Sequence, residues 1–330
     1  MKQTPLSIKE IAQLADTSVA TVSRVINQNG RFSKETEQRV LKIIEEYGYR
    51  PNALAKGLRQ DKTKLVGVMI PDITHSFFSR VYRAIELELY QNGYLSILCD
   101  TNESEELEKA YMEHLKDMRF SGLIYMNGNQ HNAEIDCPAT LYLDRYPTHP
   151  KQVTDYYFIG SDNFQSGFLA AEALVKAGRT NLTLVCIERQ LITQRLRQEG
   201  FCTYLKEQSP VPVELNILDV DRSDFFLGYE ITEKMLSRHP NCDGVYYTSD
   251  TLAYGGLQCL REHGVLVPEH ISVVGMDDLP LSGTFNLTTV RQDTDRLGRQ
   301  AARSIIDLIE NRPVQRQHIV PVSLVKRGTV

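Results

Sequence analysis

A chain of 330 residues is long enough for two or three domains and a large core. The net charge of −5 is unevenly spread: residues 1–64 carry 12 Lys and Arg against 7 Asp and Glu, and the remainder carries 25 against 35. A basic head on an acidic body suits nucleic-acid contact confined to the head. Neither an apolar N-terminal signal region nor a run long enough to span a bilayer is present, so membrane function is excluded and a cytoplasmic protein is expected. Six Cys stand without CxxC spacing, mostly in apolar runs, and read as reduced, buried thiols.

In chain order, Ile8, Ile11, Ala12, Leu14 and Ala15 form an apolar stripe of helical spacing, and Ser7 with Glu10 matches a capping box at its start. Asp16-Thr17-Ser18 is a turn. A second helix follows over Ser18–Asn27, SVATVSRVIN, with Val19, Val22, Val25 and Ile26 on one stripe and a small, hydroxylated, basic outward face. Ser18 is the expected N-cap, so the free N–H groups behind it can meet phosphate oxygens. Val19 and Ala20 are small enough to let the backbone approach a major groove, and Arg24 can reach a guanine edge with two donors. The alternative is a pair of core helices in an ordinary helical domain. A third helix near 34–47 packs through Val40, Ile43, Ile44 and Tyr47, and Gly48 ends it. Pro51 can open a short helix reaching Leu58, too short to be stable alone.

The pairing of SVATVSRVIN with Tyr47–Leu58, YGYRPNALAKGL, resembles the LacI/GalR family of bacterial repressors. The resemblance implies that Ser18, Val19, Ala20, Thr21, Ser23, Arg24 and Asn27 face operator DNA. It also implies that Ala55 and Leu58 belong to a hinge helix at the minor groove, where an inserted leucine trades base unstacking for a bent, better wrapped duplex. Asp16 departs from the glycine usual in that turn; Asp tolerates turn conformations.

From Leu65 the texture changes to alternating strands and helices. Strands are expected at 65–70, 95–99, 123–126 and 140–143, with helices near 77–92 and 104–119. A second series has strands at 182–187, 213–218, 244–248 and 271–274 and helices near 164–177, 193–207, 226–238 and 251–263. A last helix near 295–310 and one strand near 319–325 finish the chain. Two βα series imply two Rossmann-like parallel-sheet lobes with a cleft between them, and the body resembles the periplasmic-binding-protein-like core of the same repressor family. The expected organisation is an all-α helix-turn-helix head at 1–50, a hinge at 51–64 and an effector-binding and dimerisation core at 65–330. Crossings near 160, 290 and 320 make lobe one 65–160 with 291–320, and lobe two 161–290 with 321–330. No leucine heptad tail follows, and a homodimer reading a pseudo-palindromic operator is the simplest assembly.

Ligands of such sheets sit beyond the C-terminal strand ends, where this chain places its unusual polar residues. Phe77 or Phe78 can supply apolar surface for a sugar face, although an aromatic starting a helix also serves a core or a dimer interface. Asp144, Asp277 and Arg197 can hold hydroxyls; a structural salt bridge is the alternative for Arg197 and Asp277. Arg197-x-x-Gly200-Phe201 and Gly275-Met276-Asp277-Asp278 resemble the family's effector-binding motifs, and Thr193, Ser249 and Gln292 occupy matching positions. Asp162 reads equally as a ligand contact or a helix cap, Asp250 as a cap. Where many members offer an aromatic stacker the register gives Ser223, with Phe225 and Phe226 near.

His239-x2-Cys242 and Cys259-x3-His263 have zinc-like spacing but lie inside an ordinary βα unit, so no metal or cofactor is expected. Without GxxxxGK[ST], HExxH or GxSxG, nothing asks for an enzyme. The reading is therefore a sequence-specific repressor of a carbohydrate operon, controlled by a small sugar-like effector through linkage whose sign the sequence leaves open. By resemblance of short stretches to Gram-positive operon repressors, ribose comes first and sucrose or a fructosyl sugar second. One alternative is a pleiotropic catabolite regulator with a phosphocarrier protein as corepressor. Another is a periplasmic sugar-binding protein, which the basic head and missing signal count against.

Overall fold

A computed structural model describes residues 6–49, 63–127, 137, 139–146, 156–187 and 191–330. Residues up to Thr63 form one compact unit and Lys64–Val330 a second. The hinge positions Ala55 and Leu58, with the short helix expected over 51–58, lie outside the described residues.

The head is three helices, α1 (Ile8–Leu14), α2 (Val19–Asn27) and α3 (Lys34–Glu46). Each begins where a hydroxyl satisfies an orphan N–H: Ser7 with a full capping box to Glu10, Ser18 to Thr21 and Ser33 to Thr36. Asp16 takes the left-handed φ of 44° that joins α1 to α2, and Gly48 does the same at 58° after α3. The core is small: Ile11, Ala12, Ala15, Val22, Val25 and Val40, with Ile43 and Ile44 against it. Two members of the expected stripes fall outside it, Leu14 at 48% exposed and Tyr47 at 40%. So few helical turns enclose only one side of each helix, and positions at the stripe's margin stay in water.

The body comprises β1 (Leu65–Ile70), α4 (Ser76–Gln91), β2 (Leu95–Asp100), α5 (Glu105–Asp117), β3 (Gly122–Tyr125), β4 (Thr140–Leu143) and β5 (Tyr157–Ser161). These are followed by α6 (Asn163–Lys176), β6 (Asn181–Ile187), α7 (Ile192–Glu207), β7 (Glu214–Val220), α8 (Phe225–Arg238), β8 (Gly244–Tyr247), α9 (Asp250–Glu262) and β9 (Ser272–Asp277). The chain then runs through β10 (Thr288–Arg291), α10 (Thr294–Ile309), β11 (Gln317–Val320) and β12 (Ser323–Val325).

Two six-stranded sheets result, ordered β11-β5-β4-β3-β1-β2 and β12-β10-β9-β8-β6-β7. All pairings are parallel except β10 with β12. Alternation puts both faces of each sheet under helices: Val245 and Tyr247 pack in the cluster with α8 and α9, while Tyr246 between them packs with α6 and α7. The single strand expected at 319–325 is two strands in different sheets. Pro321 separates them, because proline has no N–H to continue a ladder. Two strands were not anticipated, β5 and β10. β10 is only four residues and β5 contains Gly160, so neither shows a clear period.

Candidate functional site

In the head, α2 presents the residues assigned to DNA. Ser18, Ala20, Arg24 and Asn27 are exposed, whereas Val19, Thr21 and Ser23 are half-buried. The Ser18 hydroxyl accepts from Thr21 N at 3.1 Å and lies 2.9 Å from the Thr21 hydroxyl, which fixes the helix start. Asn27 Nδ2 donates to the Ser23 carbonyl at 2.7 Å. The Arg24 aliphatic stem runs past Gly30, at φ 95°, where an added Cβ would crowd the Arg24 Cδ at 3.2 Å.

In the body, a cavity of about 810 Å3 opens between the C-terminal ends of the two sheets. Of the effector residues expected from sequence, Phe77, Phe78, Asp144, Thr193, Arg197, Ser249, Asp277 and Gln292 line it. Asp162 does not: it caps α6, accepting from Gln165 N at 2.9 Å. Its neighbour Asn163 does the work at the site by accepting from Arg197.

Arg197 is placed by a glycine. α6 and α7 pack so closely that a Cβ on Gly200 would collide with the Phe164 carbonyl, and Gly167 meets the Arg197 carbonyl in the same way. Phe201, fully buried and stacked 5.6 Å from Tyr246, locks that contact. The spacing Arg-x-x-Gly-Phe therefore has a mechanical reason. One turn of α7 carries the guanidinium, the close approach and the anchor. Arg197 is 6% exposed, with Nε donating to Asn163 Oδ1 and Nη1 to the Thr248 carbonyl, both at 2.8 Å. Both acceptors are neutral, and no carboxylate among the described residues is within ion-pair distance.

Asp277 ends β9 at φ 114°, a conformation costly for any residue with a Cβ. Gln292 Nε2 holds its carboxyl at 2.7 Å. Burial pushes the Asp277 carboxyl well above the usual carboxylate range; Arg197 pulls it back, Asp250 pushes it further, and the Gln292 amide opposes that. Asp250, read from sequence as a cap, caps nothing. Ser249 is the N-cap of α9, and the Asp250 carboxylate turns inward to accept from Leu279 N, the Ser282 hydroxyl and the Thr289 hydroxyl at 2.9, 2.5 and 2.6 Å. Those bonds hold the loop after Asp277 against the cavity. They also explain Gly275, where a Cβ would strike the Asp250 carboxylate.

On the first lobe, Asp144 follows β4 at φ 65°, buried, its pKa raised by desolvation against the pull of Arg145 and Arg197. Phe78 lies under the Arg145 guanidinium at 5.3 Å and edge-on to Phe77 at 5.3 Å. Both phenyl groups belong to the lobe's core and show part of their surface to the cavity. On the second lobe the register question resolves to Ser223 and Phe225, which line the cavity, while Phe226 is 72% exposed. Asp144 Oδ1, Arg145 Nε, Gln194 Oε1, Thr248 Oγ1 and Gln292 Oε1 are buried without a hydrogen-bond partner. Sequence reading missed His75, Arg145, Gln194 and Thr248 as cavity residues. Arg145 had a signal, a second charge directly behind the apolar strand end at Asp144; Gln194 and Thr248 had none.

Cys259 Sγ pairs with His263 Nδ1 at 3.6 Å, whereas Cys242 Sγ faces the Thr183 hydroxyl at 3.2 Å. Among the described residues no helix is long and apolar enough to cross a membrane.

Comparison with known proteins fits this architecture. Residues 7–52 match the model of bacterial regulatory proteins of the lacI family, and residues 171–330 that of the periplasmic binding protein-like domain. The ribose operon repressor of Halalkalibacterium halodurans is 31% identical over 98% of this chain and 96% of its own length. The chain belongs to the LacI family. It is a DNA-binding transcriptional regulator with a sugar-binding type of core, and not an enzyme. The lac repressor dimer bound to operator and the anti-inducer ONPF superposes with a TM-score of 0.86 at 28% identity, covering 99% of both chains. A LacI-family regulator from Enterococcus faecium with bound ribose superposes at 0.71 and 28% identity, covering 80% of this chain and 98% of that one.

Proposed function

We propose that this regulator represses a carbohydrate operon as a homodimer and that its lobes close on a small, uncharged sugar, ribose first and sucrose or a fructosyl sugar second. The carrying observation is the set of buried polar atoms without a hydrogen bond in the cavity that Arg197 lines: Asp144 Oδ1, Gln194 Oε1 and Gln292 Oε1 as acceptors and Arg145 Nε as a donor. Leaving such groups without partners is costly, and a polyol, with a donor and an acceptor on every hydroxyl, satisfies both kinds. Among the described lining residues, Asp72, Glu103, Asp144, Asp221, Asp224 and Asp277 outnumber Arg145, Arg197 and Arg222. That balance opposes a phosphorylated sugar. The ribose operon repressor and the ribose-bound regulator among the relatives support a pentose.

In this reading Ser18, Val19, Ala20, Thr21, Ser23, Arg24 and Asn27 meet the operator, with Ala55 and Leu58 at the hinge. Asp144, Thr193, Arg197, Ser249, Asp277 and Gln292 meet the sugar over Phe77 and Phe78. An effector that prefers one lobe arrangement shifts operator affinity by its differential affinity for the two. The test is a thermal-shift screen of D-ribose, sucrose, fructose and their phosphates on wild type, Arg197→Ala and Asp277→Ala. A neutral sugar should raise the wild-type midpoint and leave both variants unmoved. Unchanged shifts in both variants contradict the site, and a response to phosphorylated sugars alone contradicts the uncharged class. Failure of every sugar, together with operator affinity raised by a phosphorylated carrier protein, would favour a phosphocarrier corepressor.

A further inference from the structure

From α4 and its leading loop, side-chain hydrogen bonds reach the second lobe at two places. One ends on a carbonyl: Arg80 Nη1 donates to Asp278 O at 3.3 Å. The other ends on a hydroxyl that can pass the polarisation on. His75, at the N-terminus of α4, accepts from Phe77 N at Nδ1, 3.3 Å away. A ring nitrogen that accepts carries no hydrogen, so in the neutral imidazole the hydrogen is assigned to Nε2. Nε2 lies 3.2 Å from Ser223 Oγ on the opposite lobe. Ser223 Oγ is 2.6 Å from Ser249 Oγ, which also accepts from Thr251 N at 3.3 Å.

Donor and acceptor counting fixes the first step of the chain. His75 Nε2–H donates to Ser223 Oγ, which keeps a second acceptor position and its own hydrogen for the bond to Ser249 Oγ. Ser249 Oγ also accepts from Thr251 N, so the hydroxyl is held from its own helix and, through Ser223, from the first lobe. Ser249 is buried and lines the cavity. We propose that His75 is a positioning residue that latches the lobes through Ser223 and, through the Ser223–Ser249 contact, holds the Ser249 hydroxyl in place at the cavity wall. The latch exists only while the lobes are together, so closure itself changes what the second lobe offers its occupant. That this occupant is a sugar rests on the function proposed above; the latch does not.

The latch is therefore tested without any sugar, by amide hydrogen exchange of the full chain. His75→Asn keeps an amide group at the position of Nδ1, and asparagine is a strong N-cap, but it stops short of Ser223. His75→Gln places an amide nitrogen where Nε2 stood. Ser223→Ala removes the acceptor. His75→Asn and Ser223→Ala should each speed exchange of segments 221–225 and 248–252 by roughly threefold to tenfold, the net worth of one hydrogen bond. The double variant should add nothing beyond either, because both remove the same bond. His75→Gln should stay near wild type, and strand β6 should exchange at the wild-type rate throughout, which separates latch loss from misfolding. Wild-type protection of both segments in His75→Asn would overturn the proposal, as would equal changes in the Asn and Gln variants.

Discussion

In the head, the side chains assigned to DNA stand outside a small core: Arg24 and Asn27 are exposed while Val22 and Val25 carry the packing one face away. In the body the order is inverted. Arg197, Asp144 and Asp277 are buried among residues the fold needs, and Arg197 and Asp277 are hydrogen-bonded to the elements that position them. An exposed reading surface can change its side chains at little cost to stability. A buried site cannot, because the groups that place Arg197 also hold α6 to α7. On the function proposed above, specificity for DNA and specificity for the effector are built from different physics, the first from what protrudes and the second from what is left unsatisfied inside.

The sharpest way to break this contrast is Phe201→Ala. It removes the anchor stacked on Tyr246 without touching the cavity and should cost about 3–5 kcal/mol of unfolding free energy in a denaturant titration. A loss under about 1 kcal/mol would mean that α7 is held by something other than this packing. Arg24→Ala should do the opposite, leaving the unfolding midpoint alone and weakening discrimination at one operator base pair by about 1–3 kcal/mol. Equal weakening on every duplex in a base-substitution binding series would make Arg24 a phosphate contact.

Acid separates the two regions next. Desolvation pushes the His75 imidazole down to about 4, with Asp72 of its own loop opposing and Arg145 beyond β4 and Arg197 on α7 adding to the fall. Asp221, Arg222 and Asp224 flank its partner Ser223. A ring freed by lobe opening returns towards its ordinary value of 6.5, so the closed form binds the proton less well than the open one. Closure is therefore fully supported above pH 6.5 and is lost as pH falls towards 4. Between neutral pH and about one unit below that ordinary value the closed form should lose roughly tenfold, about 1.4 kcal/mol. The check is the His75 ring resonance followed by NMR titration, which should move near pH 4; titration near 6.5 would place the ring in water. The smallest effect belongs to the head: Ser18→Ala, which deletes the cap on α2, should cost about 1 kcal/mol of head stability by thermal melting.

How far the sequence carried depends on the range of the contact. Capping boxes and stripes act over three or four residues, so α1, α2 and α3 and their caps were legible from Ser7, Glu10, Ser18 and the valines. The Arg-x-x-Gly-Phe motif was legible because all its parts lie on one turn of α7. Asp162 stayed open between cap and ligand contact, and Asp250 was misjudged, for a shared reason: a carboxylate beside a helix start can turn to the backbone or away from it, and local sequence does not decide. Asp250 turns to Leu279, Ser282 and Thr289, and no periodicity relates those positions. His75 and Ser223 lie on different lobes and meet only after both sheets have folded.

The account's central claim is that occupancy of the buried site changes what the exposed helix can hold. Its most direct test is a titration of operator duplex against wild type and Arg197→Ala, with and without the neutral sugar that gives the largest thermal shift. The sugar should change wild-type operator affinity severalfold or more, in either direction, and leave Arg197→Ala unmoved at comparable operator affinity. A sugar that binds wild type in the calorimeter yet leaves its operator affinity unchanged would contradict the account.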